Sequence, residues 1–478
     1  MTAQTILPAN SVTGGYEVSN SLRFDSAAGT YLNFDQATAT SARKMTFSTW
    51  LKLSKLNDYN ILLENQANPH NSQIVIQNNG NNNDLRFYDY DGSTNIDLRT
   101  SRAFRDVSAW YHIVVAMDTT QSTASNRVKI YINGVQETAL DTATYPDQNY
   151  DTAITGGTLQ IGRQGTTSNH IDGYLAETVF IDGSQLAADS FGEFDEDSGI
   201  WKPIDGLADL TFGNNGFYLD YKDSSALGND AAGSNNLTTN NINAVDQSTD
   251  TCTNNFATLN RLNSTLTNTV LSEGNLKLVG GRQSANYTYI TGTIAVSSGK
   301  WYWEVKAVDN SEIDQVGVAK MDLAQFAGIA TSTGLQGAAY GGRGVQMSNG
   351  NKVGDGSQGA HMGGFSANNI CMVALDLDNN KITFGRNGSW SNGSGGADQA
   401  FGDATAAYTD LTAGAMYVPA QTMRDSGNNN PGTMEYNFGN APYAISSGNA
   451  DANGHGNFEY AVPSGYFALN TQNLAEHG

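Results

Sequence analysis

Cysteine is almost missing from this chain of 478 residues, which holds only Cys252 and Cys371. Two thiols so far apart in a long chain argue against a disulfide scaffold and against a zinc site. Cys371, inside the run Ile370-Cys371-Met372-Val373-Ala374-Leu375, reads as a small buried hydrophobe. Positive charge is scarce as well: 25 Lys and Arg stand against 47 Asp and Glu, for a formal net charge of −22. Nucleic acid and anionic lipid repel such a chain, so neither is expected as a partner. The acidic residues are spread along the chain without forming a tail, which suits a solubility surface; a cation-binding array is the sharper alternative. No apolar run approaches the ~20 residues of a membrane-spanning helix, so no membrane insertion is expected. The N-terminus shows no basic segment followed by an apolar one, so no secretory signal is expected either. Segments of helical period and ordinary length are also lacking.

What is present is glycine, asparagine, serine and threonine in quantity, with 22 Tyr, 18 Phe and 6 Trp to build cores. Apolar residues alternate in short runs broken by Asn, Gly, Asp and Ser, the pattern of many half-buried strands. In residues 45–53, Met45, Phe47 and Thr49 point one way, and Thr46, Ser48 and Trp50 the other. Residues 110–117 and 128–132 predict further strands, the second closing on Asn133-Gly134, a strong hairpin signal. Residues 159–162 and 171–181 complete a first group. A second begins near Phe256, with strands at 293–308, 315–319, 370–390, 434–438 and 465–469. The fold class is all-β, two tandem antiparallel sandwiches. The expected division is an N-terminal anchor segment at 1–20, a first sandwich at 21–222, a polar linker at 223–251 and a second sandwich with a C-terminal extension at 252–478.

The first group resembles the laminin-G-like, concanavalin A-like jelly roll. Phe47-Ser48-Thr49-Trp50, Trp110-Tyr111-His112 and Val128-Lys129-Ile130-Tyr131-Ile132-Asn133-Gly134 carry the likeness. Ile161-Gly162 and Asp172-Gly173-Tyr174-Leu175-Ala176-Glu177 follow in that family's order. The second group is similar to SPRY domains through Gly299-Lys300-Trp301-Tyr302-Trp303-Glu304-Val305, Gly317-Val318-Ala319, Ala374-Leu375-Asp376, Ile382-Thr383-Phe384 and Asn387-Gly388. The tandem, with Phe191-Gly192-Glu193-Phe194-Asp195 and Pro463-Ser464-Gly465-Tyr466, resembles structural proteins of marine tailed bacteriophages.

Candidate chemistry is sparse. Related β-glucanases carry an E-x-D-x-x-E strand with its carboxylates on one face. Here Glu193 and Asp195 fit that pattern, but Ser198 stands where the second glutamate belongs. Asp376-Leu377-Asp378-Asn379-Asn380 has the start of a calcium loop, yet Lys381 takes its glycine position and Asn387 its glutamate position, so a hairpin turn is expected. The laminin-G-like resemblance allows one calcium at a sandwich rim, with Asp89, Asp91, Asp118 and Asp172 as turn-adjacent candidates; no other cofactor is required. His112 lies inside a strand and reads as a core residue. The glycine-biased stretch 337–364 reads as a long SPRY loop in which Tyr340, Arg343 and His361 could stack on a sugar or a protein partner. Trp301 and Trp303 share a strand face and read as packing.

The resemblances imply a non-enzymatic virion protein, a fibre or a capsid or tail appendage, made in the host cytoplasm and carried on the particle. Its expected partners are other virion proteins and host-surface polysaccharide, and it is expected to be a homo-oligomer. A purely architectural decoration protein without a carbohydrate ligand is the alternative. A glycan depolymerase would need a carboxylate pair that the motifs do not supply. Residues 1–18 are expected to be dispensable for folding and needed for incorporation.

Overall fold

The computed structural model describes residues 15–478, apart from positions 57, 68–69, 79, 81–82, 167–168, 265–269, 281–286, 310–313, 322–333, 337–340, 355 and 425–431. Most of the expected anchor segment, and Tyr340, lie outside the described residues. The chain forms two compact units that part between Thr253 and Asn254. Each is an antiparallel β-sandwich, the first a jelly roll, in keeping with the expected all-β class.

In the first unit, one sheet runs in the order Val135–Gln136, Val128–Ile132, Trp110–Asp118, Lys44–Leu53, Gly173–Asp182, Ser21–Phe24 and Gln247–Ser248, with Phe217–Leu219 also pairing Gly173–Asp182. The other runs Leu140–Thr144, Thr94–Ala103, Asp84–Tyr90, His70–Gln77, Asn60–Ala67, Thr158–Ile161, Tyr31–Asp35 and Thr238–Asn240. Asn133 and Gly134 both have positive φ, 48° and 79°, as a two-residue hairpin turn requires. Between the sheets, Met45, Phe47, Leu51 and Leu53 pack with Phe87, Leu98 and Ile113. Fully burying such side chains contributes roughly 1.5–3 kcal/mol each. The opposite face of the first sheet is also covered: Trp50, Val114, Ala116 and Val179 lie beneath Phe191, Trp201, Leu207 and Tyr218. That cover explains why Lys44–Leu53 is apolar or uncharged at nearly every position instead of strictly alternating.

Residues 223–251 are not a linker, contrary to expectation. They supply the edge strand Thr238–Asn240 against Tyr31–Asp35, and Gln247–Ser248 against Ser21–Phe24. Their polar side chains hold the backbone in place: Asp230 Oδ1 accepts from Tyr218 N at 3.0 Å, and Asn235 Nδ2 donates to Gly216 O at 2.8 Å. A polar composition describes an edge strand as well as it describes a linker. Nor is the whole of residues 1–20 an anchor. Val18 is buried in the cluster over Trp50, and its N–H donates to Thr253 Oγ1 at 3.0 Å.

Among the described residues the second unit has a seven-stranded sheet and a nine-stranded one. Trp301, Trp303 and Val305 enter the core between them, fully buried, while Tyr302 faces Phe458 on the other side. Asn387 and Gly388 repeat the double positive φ of a hairpin turn, at 49° and 86°. The stretch 337–364, expected as one long loop, instead contains a three-stranded meander, Arg343–Gln346, Lys352–Gly354 and Ser357–Gly359. Two short helices are described, Ala124–Arg127 and Thr471–His477. Among the described residues no helix is long and apolar enough to cross a membrane.

Candidate functional site

The four aspartates expected at a calcium rim are held by the protein's own donors. Asp89 accepts from Ser72, Tyr150 and Thr152, and Asp91 from Asn95 and Ser93. Asp118 closes a turn by accepting from Thr120 and Gln121 and pairs with Lys44 at 3.3 Å. Asp172 takes the amide and hydroxyl of Ser26. Among the described residues no three His, Cys, Asp or Glu side chains gather as a metal-holding group. Arg343 lies on a strand, its guanidinium 3.3 Å from Asp410 and 4.9 Å over the Tyr408 ring. His361 is buried, and burial pushes its pKa down to about 4. Neither is presented on an open loop. Glu193 pairs with Lys202 at 3.4 Å in a small hairpin, and Asp195 accepts from Ser198 N and Oγ as a turn residue. Asp376 and Asp378 likewise accept from Asn379 and Gly299 at a turn.

The outer face of the jelly roll's second sheet draws together residues the sequence leaves scattered. Directly opposed residues on neighbouring strands share a face. The register therefore builds one row across six strands: Asp97, Tyr88, Gln73, Glu64, Gln160 and Asn33. Beside it, Arg99, Arg86 and Val75 form a second row. Leu85, Phe87, Ile74, Ile76 and Leu98 on the same strands point into the core, which fixes the row's residues outward.

The face is pre-organised. Arg86 grips Asp97 with two bonds of 2.7 Å, and its guanidinium lies 4.1 Å from the Tyr88 ring centroid. Tyr88 and Tyr90 run nearly parallel, 9° apart with centroids at 6.4 Å. Arg163 lies 4.6 Å over the Tyr31 ring. At the row's centre Glu64 is fully buried, its Oε2 accepting from Gly165 N, and Gln164 donates to Gln73 at 3.3 Å. Burial raises the Glu64 pKa to about 7, against the Gly165 amide and the charge of Arg163. Glu64 Oε1, Gln160 Oε1, Asn71 Oδ1, Gln77 Oε1 and Arg163 Nε are buried without a hydrogen-bond partner. All but Arg163 sit at outward positions of this sheet, and Arg163 follows its Thr158–Ile161 strand.

Residues 25–188 match the family model of the Concanavalin A-like lectin/glucanases superfamily. That is about a third of the chain. No curated protein matches. The SPRY domain of human HERC1 is 18% identical over 35% of this chain and 91% of its own, with a TM-score of 0.27. A Bacteroides ovatus protein described as carbohydrate-binding is 16% identical over 47% of this chain and 59% of its own, with a TM-score of 0.34. The heptameric SAP-like pentraxin of Limulus polyphemus is 16% identical over 36% of this chain and 80% of its own, with a TM-score of 0.26.

Two arrangements look catalytic, and their geometry decides what each can do. Glu64 and Asp97 share the row but stand three strand spacings apart, about 14 Å, too far for the paired carboxylates of glycoside hydrolysis. His112 Nε2 lies 2.9 Å from Ser48 Oγ, and Trp201 Nε1 donates to His112 Nδ1 at 3.0 Å. Burial pushes the His112 pKa down to about 3, so the ring is neutral. With Nδ1 accepting from the indole, the ring proton sits on Nε2 and points at Ser48. The imidazole is thus a donor to the hydroxyl, the reverse of a general base.

Proposed function

We propose that this protein is a non-enzymatic carbohydrate-binding component of a bacteriophage virion, holding host-surface polysaccharide on the outer face of the jelly roll's second sheet. The observation that carries the binding is the row from Asp97 to Asn33, in which Arg86 clamps Asp97 and lies against the Tyr88 ring. A polyhydroxylated chain offers hydroxyls to the polar side chains at the open end of that row and flat C–H faces to the tyrosines. The lectin-type family match over residues 25–188 supports the same reading. A place on a virion is supported by the resemblance of the tandem to phage structural proteins. A homo-oligomer would multiply weak single-site affinities.

A glycan array and a pull-down on host envelopes test the binding. The expected result is retention by wild type and at least tenfold weaker binding by Arg86→Ala and Tyr88→Ala. An array without any binding would leave the architectural reading in its place. Release of reducing sugar would overturn the non-enzymatic one. Immunogold labelling of particles tests the virion placement separately.

A further inference from the structure

We propose that the jelly roll carries a second binding site, for a small organic ammonium ion, in the pocket walled by Tyr131, Phe194 and Trp201. This pocket lies on the outer side of the first sheet and encloses about 410 Å³. Asp189 and Glu193 also line it, and no basic side chain does. Glu193 is engaged by Lys202 at 3.4 Å, whereas Asp189 has neither an ion pair nor a side-chain hydrogen bond among the described residues. The Asp189 charge reaches Tyr131, whose phenol pKa is raised by burial first and by that charge second.

The aromatic wall is rigid before any ligand arrives. Trp201 donates its indole N–H to His112 and stacks on that ring at 5.9 Å, so its N–H is committed and its ring is held in place. Phe194 meets Trp201 edge-on at 4.9 Å. A Cβ at Gly134 would stand 2.2 Å from the indole and one at Gly192 2.6 Å, so both glycine backbones press directly on the ring. Phe194, though large and apolar, is 49% exposed. A hydrophobic ring left open beside a fixed indole, a phenol and a free carboxylate has the chemistry of a cation box. The ring faces attract positive charge, and the carboxylate supplies the formal counter-charge. A neutral sugar would gain the stacking but would leave Asp189 without its counter-ion.

The test is a ligand-observed NMR titration of the full-length protein at constant ionic strength. Choline is compared with its neutral carbon isostere 3,3-dimethylbutan-1-ol, and glucosamine with glucose. At least one cation should bind roughly tenfold tighter than its neutral counterpart. The tighter of the two cations tells a methylated headgroup from an amino sugar. Phe194→Ala and Asp189→Asn, both at exposed positions, should each weaken that binding at least fivefold without lowering the melting temperature. Equal binding of cation and isostere, no binding of either cation, or unchanged binding in both variants would overturn the proposal. None of these outcomes depends on the polysaccharide face, which variants at Arg86 and Tyr88 report separately.

Discussion

The ammonium of Lys52 lies 2.6 Å from Oδ2 of Asp250, and neither side chain is open to solvent. The pair ties a central strand to a segment nearly two hundred positions later, and Asp250 Oδ1 also accepts from Trp110 Nε1 at 3.1 Å. Removing Asp250 takes away the carboxylate that neutralises a buried ammonium. Asp250→Ala is expected to destabilise the jelly roll by about 3–5 kcal/mol, read by urea unfolding. A loss below 1 kcal/mol would mean that residues 223–251 are dispensable after all.

Glu64 sets a pH dependence. Its ordinary carboxyl value of 4.5 rises to about 7 in the fold. The folded state therefore holds its proton more tightly than the unfolded chain. This stabilising contribution is complete below about pH 4.5 and is lost as pH rises through about 7, an effect on the order of 3 kcal/mol. Glu177 is shifted to about 7 by burial as well, so the comparison must be between wild type and variant. Glu64→Gln is expected to raise the melting temperature at pH 8 and to change it little at pH 5.

Chelation is expected to change nothing. Asp89, Asp91, Asp118 and Asp172 are each engaged by protein donors, so glycan binding and melting temperature should be the same in EDTA as in calcium. A fall of either in EDTA would restore the calcium rim suggested by the laminin-G-like resemblance.

Glu304 is the buried anchor of the second unit. Its carboxylate accepts from Tyr302 Oη, Asn437 Nδ2 and the backbone amides of Glu459 and Tyr460. Glu304→Ala would strand four donors, and a loss of about 3 kcal/mol or more is expected. Limited proteolysis should then cut residues 440–465 first.

Much of the sandwich framework was legible locally. Asn133-Gly134 and Asn387-Gly388 announced their hairpins because few other residue pairs adopt positive φ twice in succession. Trp301 and Trp303 announced a core face by their period of two. The calcium aspartates and the trio at Tyr340, Arg343 and His361 were chosen by residue type and proximity to turns. Such cues cannot show that Asp89 already has three donors, or that Arg343 is committed to Asp410 and Tyr408. The face itself left one faint trace, a lone glutamate inside Ile61-Leu62-Leu63-Glu64, where apolar neighbours imply burial.

Alternation and turn chemistry act between neighbours in the chain, so the sequence by itself determined the all-β class, two of the hairpins and the inward side of several strands. Which outward residues stand side by side depends on strand order and register. Asn33, Glu64, Gln73, Tyr88, Asp97 and Gln160 become a single row only when six strands pair in one arrangement. The same holds for residues 223–251, whose polarity suits a linker until the strand they pair with is in place. Tertiary structure decided both, because hydrogen-bond partners two hundred residues away leave no local mark.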